Sequence, residues 1–77
     1  MNALRRKTLG HVSDQLEVLK AQLEDLLQDE EEARDNIPES LQETPQYERA
    51  DKACDDLQNA IDSLEEALSS IEEAREG

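Results

Sequence analysis

The chain has 77 residues, of which 38% are charged and 35% hydrophobic, and its formal net charge is −13. This length allows one domain, and a chain with no Trp or Phe and a single Tyr lacks the bulky side chains of a closed globular core. The acidity argues against ordinary nucleic-acid binding, because phosphates would be repelled, but it permits docking onto a protein surface that itself binds nucleic acid.

The charge is distributed unevenly along the chain. Residues 1–23 contain four basic and two acidic residues, whereas residues 24–77 contain four basic and nineteen acidic residues. No apolar run follows the basic start, so the sequence predicts neither a signal peptide nor a membrane span. We therefore expect a cytoplasmic protein.

The first predicted element is a helix over about residues 2–35. Its apolar side chains recur in alternating steps of three and four residues, which predicts a seam that packs against a second helix. The predicted seam consists of Leu9, Val12, Leu16, Leu19, Leu23, Leu26, Glu30, Ala33 and Ile37. Val18 and Leu27 lie beside this seam and widen it. Gly10 weakens the helix near its start, because glycine costs about 1 kcal/mol relative to alanine in a helix interior.

A loop is predicted over residues 36–44. Pro38 disfavours helical geometry in the residue before it, and the five residues from Pro38 to Gln42 can form one short helical turn. Thr44 followed by Pro45 predicts the N-cap and the first position of a second helix.

The second helix is predicted over about residues 45–74, and its seam has no interruption. The seam consists of Tyr47, Ala50, Cys54, Leu57, Ile61, Leu64, Leu68, Ile71 and Arg75. When the chain is folded back on itself, Leu26 falls beside Leu57 and Leu23 beside Ile61. The two matching seams predict an all-α fold, an antiparallel two-helix hairpin that packs like a coiled coil.

The end of the hairpin near the loop is predicted to pack weakly. The seam residues there are small or charged, namely Glu30, Ala33, Ala50 and Cys54. We expect Ile37, Leu41 and Tyr47 to form a small apolar plug over this end.

The flank of the hairpin also bears on its oligomeric state. A row of alanines repeats every seven residues beside the second seam, at Ala53, Ala60, Ala67 and Ala74. Together with Val18 and Leu27, this row would be half exposed in a single hairpin. We therefore expect a homodimer that forms a four-helix bundle; the alternative is a monomer with an apolar flank.

The sequence contains no pattern typical of an enzyme, a cofactor site or a metal site. His11 has no second ligand at a suitable spacing, and Cys54, the only cysteine, is expected to be a small buried hydrophobe. A Gly-rich phosphate loop and a Ser/His/Asp group are both missing from the sequence. We expect a non-enzymatic protein that binds no cofactor.

Two surfaces are candidates for binding a protein partner. The first is a row of carboxylates on the second helix, where neighbours three or four residues apart lie about 5–6 Å from each other, comparable with phosphates along a nucleic-acid strand. This row consists of Glu48, Asp51, Asp55, Asp62, Glu65, Glu66 and Glu72. The alternative is that it is a solvated face that keeps the protein soluble. The second surface is the hairpin tip, with Ile37, Pro38, Leu41 and Tyr47.

Three segments of the chain resemble small uncharacterised acidic proteins of Gram-positive bacteria and their phages and prophages. The segments are residues 2–7, residues 35–42, which contain Asn-Ile-Pro-Glu-Ser-Leu-Gln, and residues 57–67. Only the Asn-Ile-Pro-Glu-Ser-Leu-Gln part is distinctive, since Leu/Glu/Ala repeats match any coiled coil. A phage setting implies an inhibitor of host defence, such as an anti-CRISPR or anti-restriction protein, some of which mimic DNA.

Overall fold

The chain forms two long antiparallel helices joined by a short tip. The computed structural model describes residues 1–77 and consists of α1 (Ala3–Asp35), a 3-10 turn (Glu39–Leu41) and α2 (Pro45–Glu76). The two helices pack along their length into a rod of 59 × 15 × 12 Å. The predicted all-α hairpin is confirmed.

Side-chain caps fix where each helix begins. The Asn2 Oδ1 atom accepts a hydrogen bond of 2.8 Å from the Arg5 N–H, and the Thr44 Oγ1 atom accepts one of 3.4 Å from the Tyr47 N–H. Each cap satisfies an N–H group that has no partner within its own helix. Pro45 occupies the start of α2, where a missing N–H has no consequence.

The tip is short because Pro38 redirects the chain at the end of α1. Its carbonyl accepts a hydrogen bond of 2.8 Å from the Leu41 N–H, which closes the 3-10 turn. The Thr44 hydroxyl donates a hydrogen bond of 2.6 Å to the Leu41 carbonyl and thereby joins the turn to the start of α2. The tip thus leads directly into the second helix.

The small core of the rod lies between its middle and the tip. Leu27, Cys54 and Ile61 are buried, and Leu23 and Leu57 pack against them. The expectation that Cys54 is a small buried hydrophobe is confirmed, since only 4% of its surface is exposed, whereas the expectation that it packs weakly is wrong. The seam predicted for α2 is confirmed, because each of its nine members is buried or half-buried.

The seam predicted for α1 is half wrong. Leu9, Leu16 and Leu23 are half-buried as expected, but Leu26 is 55% exposed, whereas its neighbour Leu27 is 9% exposed and takes its place in the core. The other exposed members of the predicted seam are Val12, Leu19 and Ala33. Glu30 and Ile37 are also half-buried as expected, so one of the two alternating rows of the predicted seam keeps its place. Only the other row is replaced, by the residues one position later, such as Leu27, and α1 is rotated by less than one residue step.

Two long basic side chains explain the rotation of α1 about its axis. Lys20 and Arg34 each lie four residues after one half-buried member of the seam and three residues before the next, and their side chains are only 22% and 21% exposed. Their aliphatic stems cover apolar surface, while their charged ends reach carboxylates on α2. In the observed rotation, Leu27 is buried instead of Leu26, and two interhelical ion pairs form.

Candidate functional site

Ion pairs between the helices define one side of the hairpin, here called the ionic flank. The Lys20 Nζ atom lies 3.3 Å from the Glu65 carboxylate and 3.5 Å from that of Glu24, and the Arg34 Nη1 atom lies 3.1 Å from Asp51. Lys20 and Arg34 are the same number of residues apart as Asp51 and Glu65. The two interhelical ion pairs therefore fit a single antiparallel register of α1 and α2. The contact with Glu65 raises the pKa of Lys20 above its ordinary value.

Three of the seven carboxylates predicted to bind a partner are paired within the chain. Asp51 and Glu65 bind Arg34 and Lys20, and Glu72 lies 3.7 Å from Arg75. The other four are exposed and have no cationic partner; they are Glu48, Asp55, Asp62 and Glu66. Asp62 accepts a hydrogen bond of 3.0 Å from Gln58. The structure therefore leaves four of the seven predicted carboxylates without an internal ion pair.

A second acidic row lies on α1 and was missed in the sequence analysis. Glu17, Glu24 and Glu31 are all exposed and recur every seven residues. Since Glu24 and Glu65 both contact Lys20, this row lies on the same flank as the row of α2. Its regular spacing was visible in the sequence, but the face on which it lies depends on the rotation of α1. The ionic flank thus carries carboxylates from both helices.

The basic residues at the start of α1 lie at the opposite end of the rod from the tip. The Arg6 Nη2 atom donates a hydrogen bond of 3.2 Å to the Gly77 carbonyl, and Arg5 and Lys7 are exposed beside it. This contact adds a positive charge at the C-terminus of α2, where the helix dipole favours it. The negative charge of the rod is consequently concentrated towards its middle and tip.

The four tip residues predicted to bind a partner are not equally available. Ile37 and Tyr47 are half-buried, whereas Pro38 and Leu41 are exposed, Leu41 by 44%. The expected plug is therefore incomplete, because Leu41 remains exposed while Ile37 and Tyr47 are half-buried. The tip offers a partner only a small apolar contact.

The two remaining candidate residues, Cys54 and His11, lack neighbouring groups that would activate a nucleophile or complete a metal site. Burial raises the pKa of the Cys54 thiol, although the nearby Arg34 charge acts in the opposite direction. A thiol with a raised pKa is a poor nucleophile at neutral pH. His11 is exposed on α1, and no group of three His, Cys, Asp or Glu side chains is arranged to hold a metal ion.

Comparison with known proteins gives no further guide to this site. No family model, no curated protein and no solved structure matches the chain. The resemblance to phage proteins therefore stays a prediction.

Neither helix contains a segment long and apolar enough to cross a membrane.

Proposed function

We propose that the chain is a non-enzymatic binding module whose ionic flank docks onto the nucleic-acid-binding surface of another protein. The observation that carries this proposal is the pair of exposed acidic rows on one side of a rigid rod, from Glu17, Glu24 and Glu31 on α1 and from Glu48, Asp55 and Asp62 on α2. A rigid array of like charges attracts a basic groove and accelerates association with it.

The charge density of the rod supports imitation of one nucleic-acid strand rather than of a duplex. A single strand of B-DNA has a phosphate about every 3.4 Å, so about 17 phosphates span the 59 Å length of the rod, which has a net charge of −13. Duplex DNA would carry about twice as many charges over that length. We therefore infer that the partner holds one strand in a basic channel.

The resemblance to phage proteins supplies the biological setting of this proposal. An acidic, strand-like protein encoded by a phage or mobile element would act as an anti-defence inhibitor, in the manner of an anti-CRISPR protein. The partner class is then a DNA- or RNA-binding effector of host defence, located in the cytoplasm. RNA-guided nucleases also bind the displaced single DNA strand in a positively charged groove, so they meet this description.

The experiment is a competition assay with a guide-loaded Cas9-type nuclease and a fluorescent target DNA. We expect the chain to reduce DNA binding, and the inhibition to fall steeply between about 50 and 200 mM salt, because the contacts replace phosphates. The double variant Asp55→Lys/Asp62→Lys should lose the inhibition. Inhibition that does not change with salt would contradict the proposal.

A matched control separates local contacts from net charge. Asp25 and Glu32 are also exposed and seven residues apart, but helical geometry places them on the side of α1 that faces away from α2. Glu32 even accepts a hydrogen bond from Gln28, as Asp62 does from Gln58. The variant Asp25→Lys/Glu32→Lys changes the net charge equally and should keep most of the inhibition.

The exposure of Leu41 favours a second candidate function, that of an adaptor that binds a partner through its tip. Apolar contact of this kind is insensitive to salt. Under this alternative, Leu41→Ser would abolish partner binding and leave helicity unchanged by circular dichroism, whereas Asp55→Lys/Asp62→Lys would have little effect. The two variants therefore assign binding to the flank or to the tip.

A further inference from the structure

The side of the hairpin opposite the ionic flank has few charges, and it is here called the uncharged flank. This flank contains the four residues of α1 that were wrongly predicted to be buried in its seam, namely Val12, Leu19, Leu26 and Ala33. The alanine row of α2 lies on the same side, since Ala33 of α1 and Gln46 of α2 line one groove and Gln46 holds the same heptad position as Ala53. Leu19 and Leu26 are 50% and 55% exposed in the single hairpin.

We propose that the uncharged flank binds the same flank of a second copy, with the two-fold axis parallel to the rod. In this arrangement α1 of one copy lies against α2 of the other, and neighbouring helices remain antiparallel. The register within the hairpin then carries over to the pair. Leu19 lies opposite the partner's Ala67, and Leu26 lies opposite the partner's Ala60.

The sizes of the facing side chains fit this register. The same seven-residue repeat sets Val12 opposite the partner's Ala74 and Ala33 opposite the partner's Ala53, so every position in the row faces a small residue. A large side chain opposite a small one lets two helices approach closely without a cavity. A row of leucines facing another row of leucines would not interdigitate in this way.

The rim of the proposed contact is polar and complementary. Gln15 lies at the level of the partner's Ser70, and Gln22 at the level of the partner's Ser63. These side chains are exposed in the single hairpin and have no hydrogen bonds within it. Amide and hydroxyl groups can donate and accept in such pairs, which gives the contact an uncharged polar border.

The area is sufficient for a specific dimer. The row from Val12 to Ala33 is about 32 Å long at 1.5 Å per residue. With the 15 Å width of the rod, each copy contributes about 500 Å², and the two together bury about 1,000 Å², the lower limit for a specific interface. Docking through this side leaves the acidic rows of both copies facing outwards, where they do not repel each other closely.

Sedimentation equilibrium of the full chain over a range of concentrations tests the proposal. We expect a monomer–dimer equilibrium, and Leu19→Asp should raise its dissociation constant more than about tenfold, because a charge would be buried against the partner's Ala67. Leu4→Asp is the matched control: Leu4 is 73% exposed but lies beyond the end of the partner's α2, so dimerisation should be unchanged. A wild-type chain that is monomeric at every concentration would overturn the proposal.

Cysteine cross-linking tests the register, in a Cys54→Ala background. Mixing the single variants Leu19→Cys and Ala67→Cys under oxidising conditions should give a covalent heterodimer, whereas Leu19→Cys mixed with Ala60→Cys, one heptad away, should not. If Leu19→Cys cross-links mainly to a second Leu19→Cys chain, the two-fold axis is perpendicular to the rod, which would contradict this register. The dimer should also persist in high salt, unlike the proposed docking through the ionic flank, so the two can fail separately.

Discussion

α1 and α2 have nearly the same length, 33 and 32 residues, but they use their apolar residues differently. α2 buries its whole apolar row against α1, and its only other apolar residues are the alanines beside that row. α1 has two apolar rows and buries one of them, leaving Val12, Leu19 and Leu26 exposed. The difference shows that helical spacing identifies which side of a helix is apolar. It does not show whether two adjacent apolar rows are covered by one partner or by two.

The largest expected effect comes from comparing the adjacent residues Leu27 and Leu26. Leu27→Ala should lower the free energy of unfolding by about 2–5 kcal/mol, because it leaves a cavity beside Cys54 and Ile61. Leu26→Ala should change it by less than about 0.5 kcal/mol in dilute protein, since its side chain contacts mainly solvent there. Urea unfolding followed by circular dichroism measures both.

Repeating this measurement at high protein concentration sharpens the comparison. If the uncharged flank binds a second copy, Leu26→Ala becomes destabilising as the concentration rises, because dimerisation stabilises the folded chain by mass action. Equal losses for the two variants in dilute protein would contradict the observed rotation of α1.

A smaller and opposite effect is expected at Gly10, where α1 passes Arg75 of α2. A methyl group at this position would lie 3.4 Å from the Arg75 Nη2 atom, the flexible end of a long side chain that can move slightly. Gly10→Ala should therefore raise the free energy of unfolding by about 0.5–1 kcal/mol, since alanine loses less conformational entropy in a helix. Thermal melting measures it, and a fall in the melting temperature would show that the close approach of the helices outweighs helix propensity.

The smallest expected effect concerns the pH dependence of the ionic flank. The contact with Glu65 raises the pKa of Lys20 in the folded chain above its ordinary value of 10.5. The contribution of this pair is therefore fully present below pH 10.5 and is lost as the pH rises through the folded-state pKa. Lys20→Gln should remove that part of the alkaline loss of stability and lower the melting temperature slightly at pH 7, less so in high salt.

The sequence was sufficient to predict the hairpin, its tip and the seam of α2. Pro38 and Thr44 each have one strong local preference, and the apolar residues of α2 form one row, so local rules and packing agree there. The rotation of α1 could not be predicted, because Leu26 and Leu27 are equally apolar and the choice depends on ion pairs made by Lys20 and Arg34. For the same reason the acidic row of Glu17, Glu24 and Glu31 was not assigned to a face.

The short tip also has a consequence for the order in which the two helices come together. Arg34 and Asp51 are only 17 residues apart in the chain, whereas Arg6 and Gly77 are 71 apart. Since the entropy lost on closing a loop grows with its length, we expect assembly to start near Pro38 and proceed towards the termini. Amide hydrogens of the first turns of α1 and the last turns of α2 should accordingly exchange with deuterium sooner than those around Leu27 and Cys54.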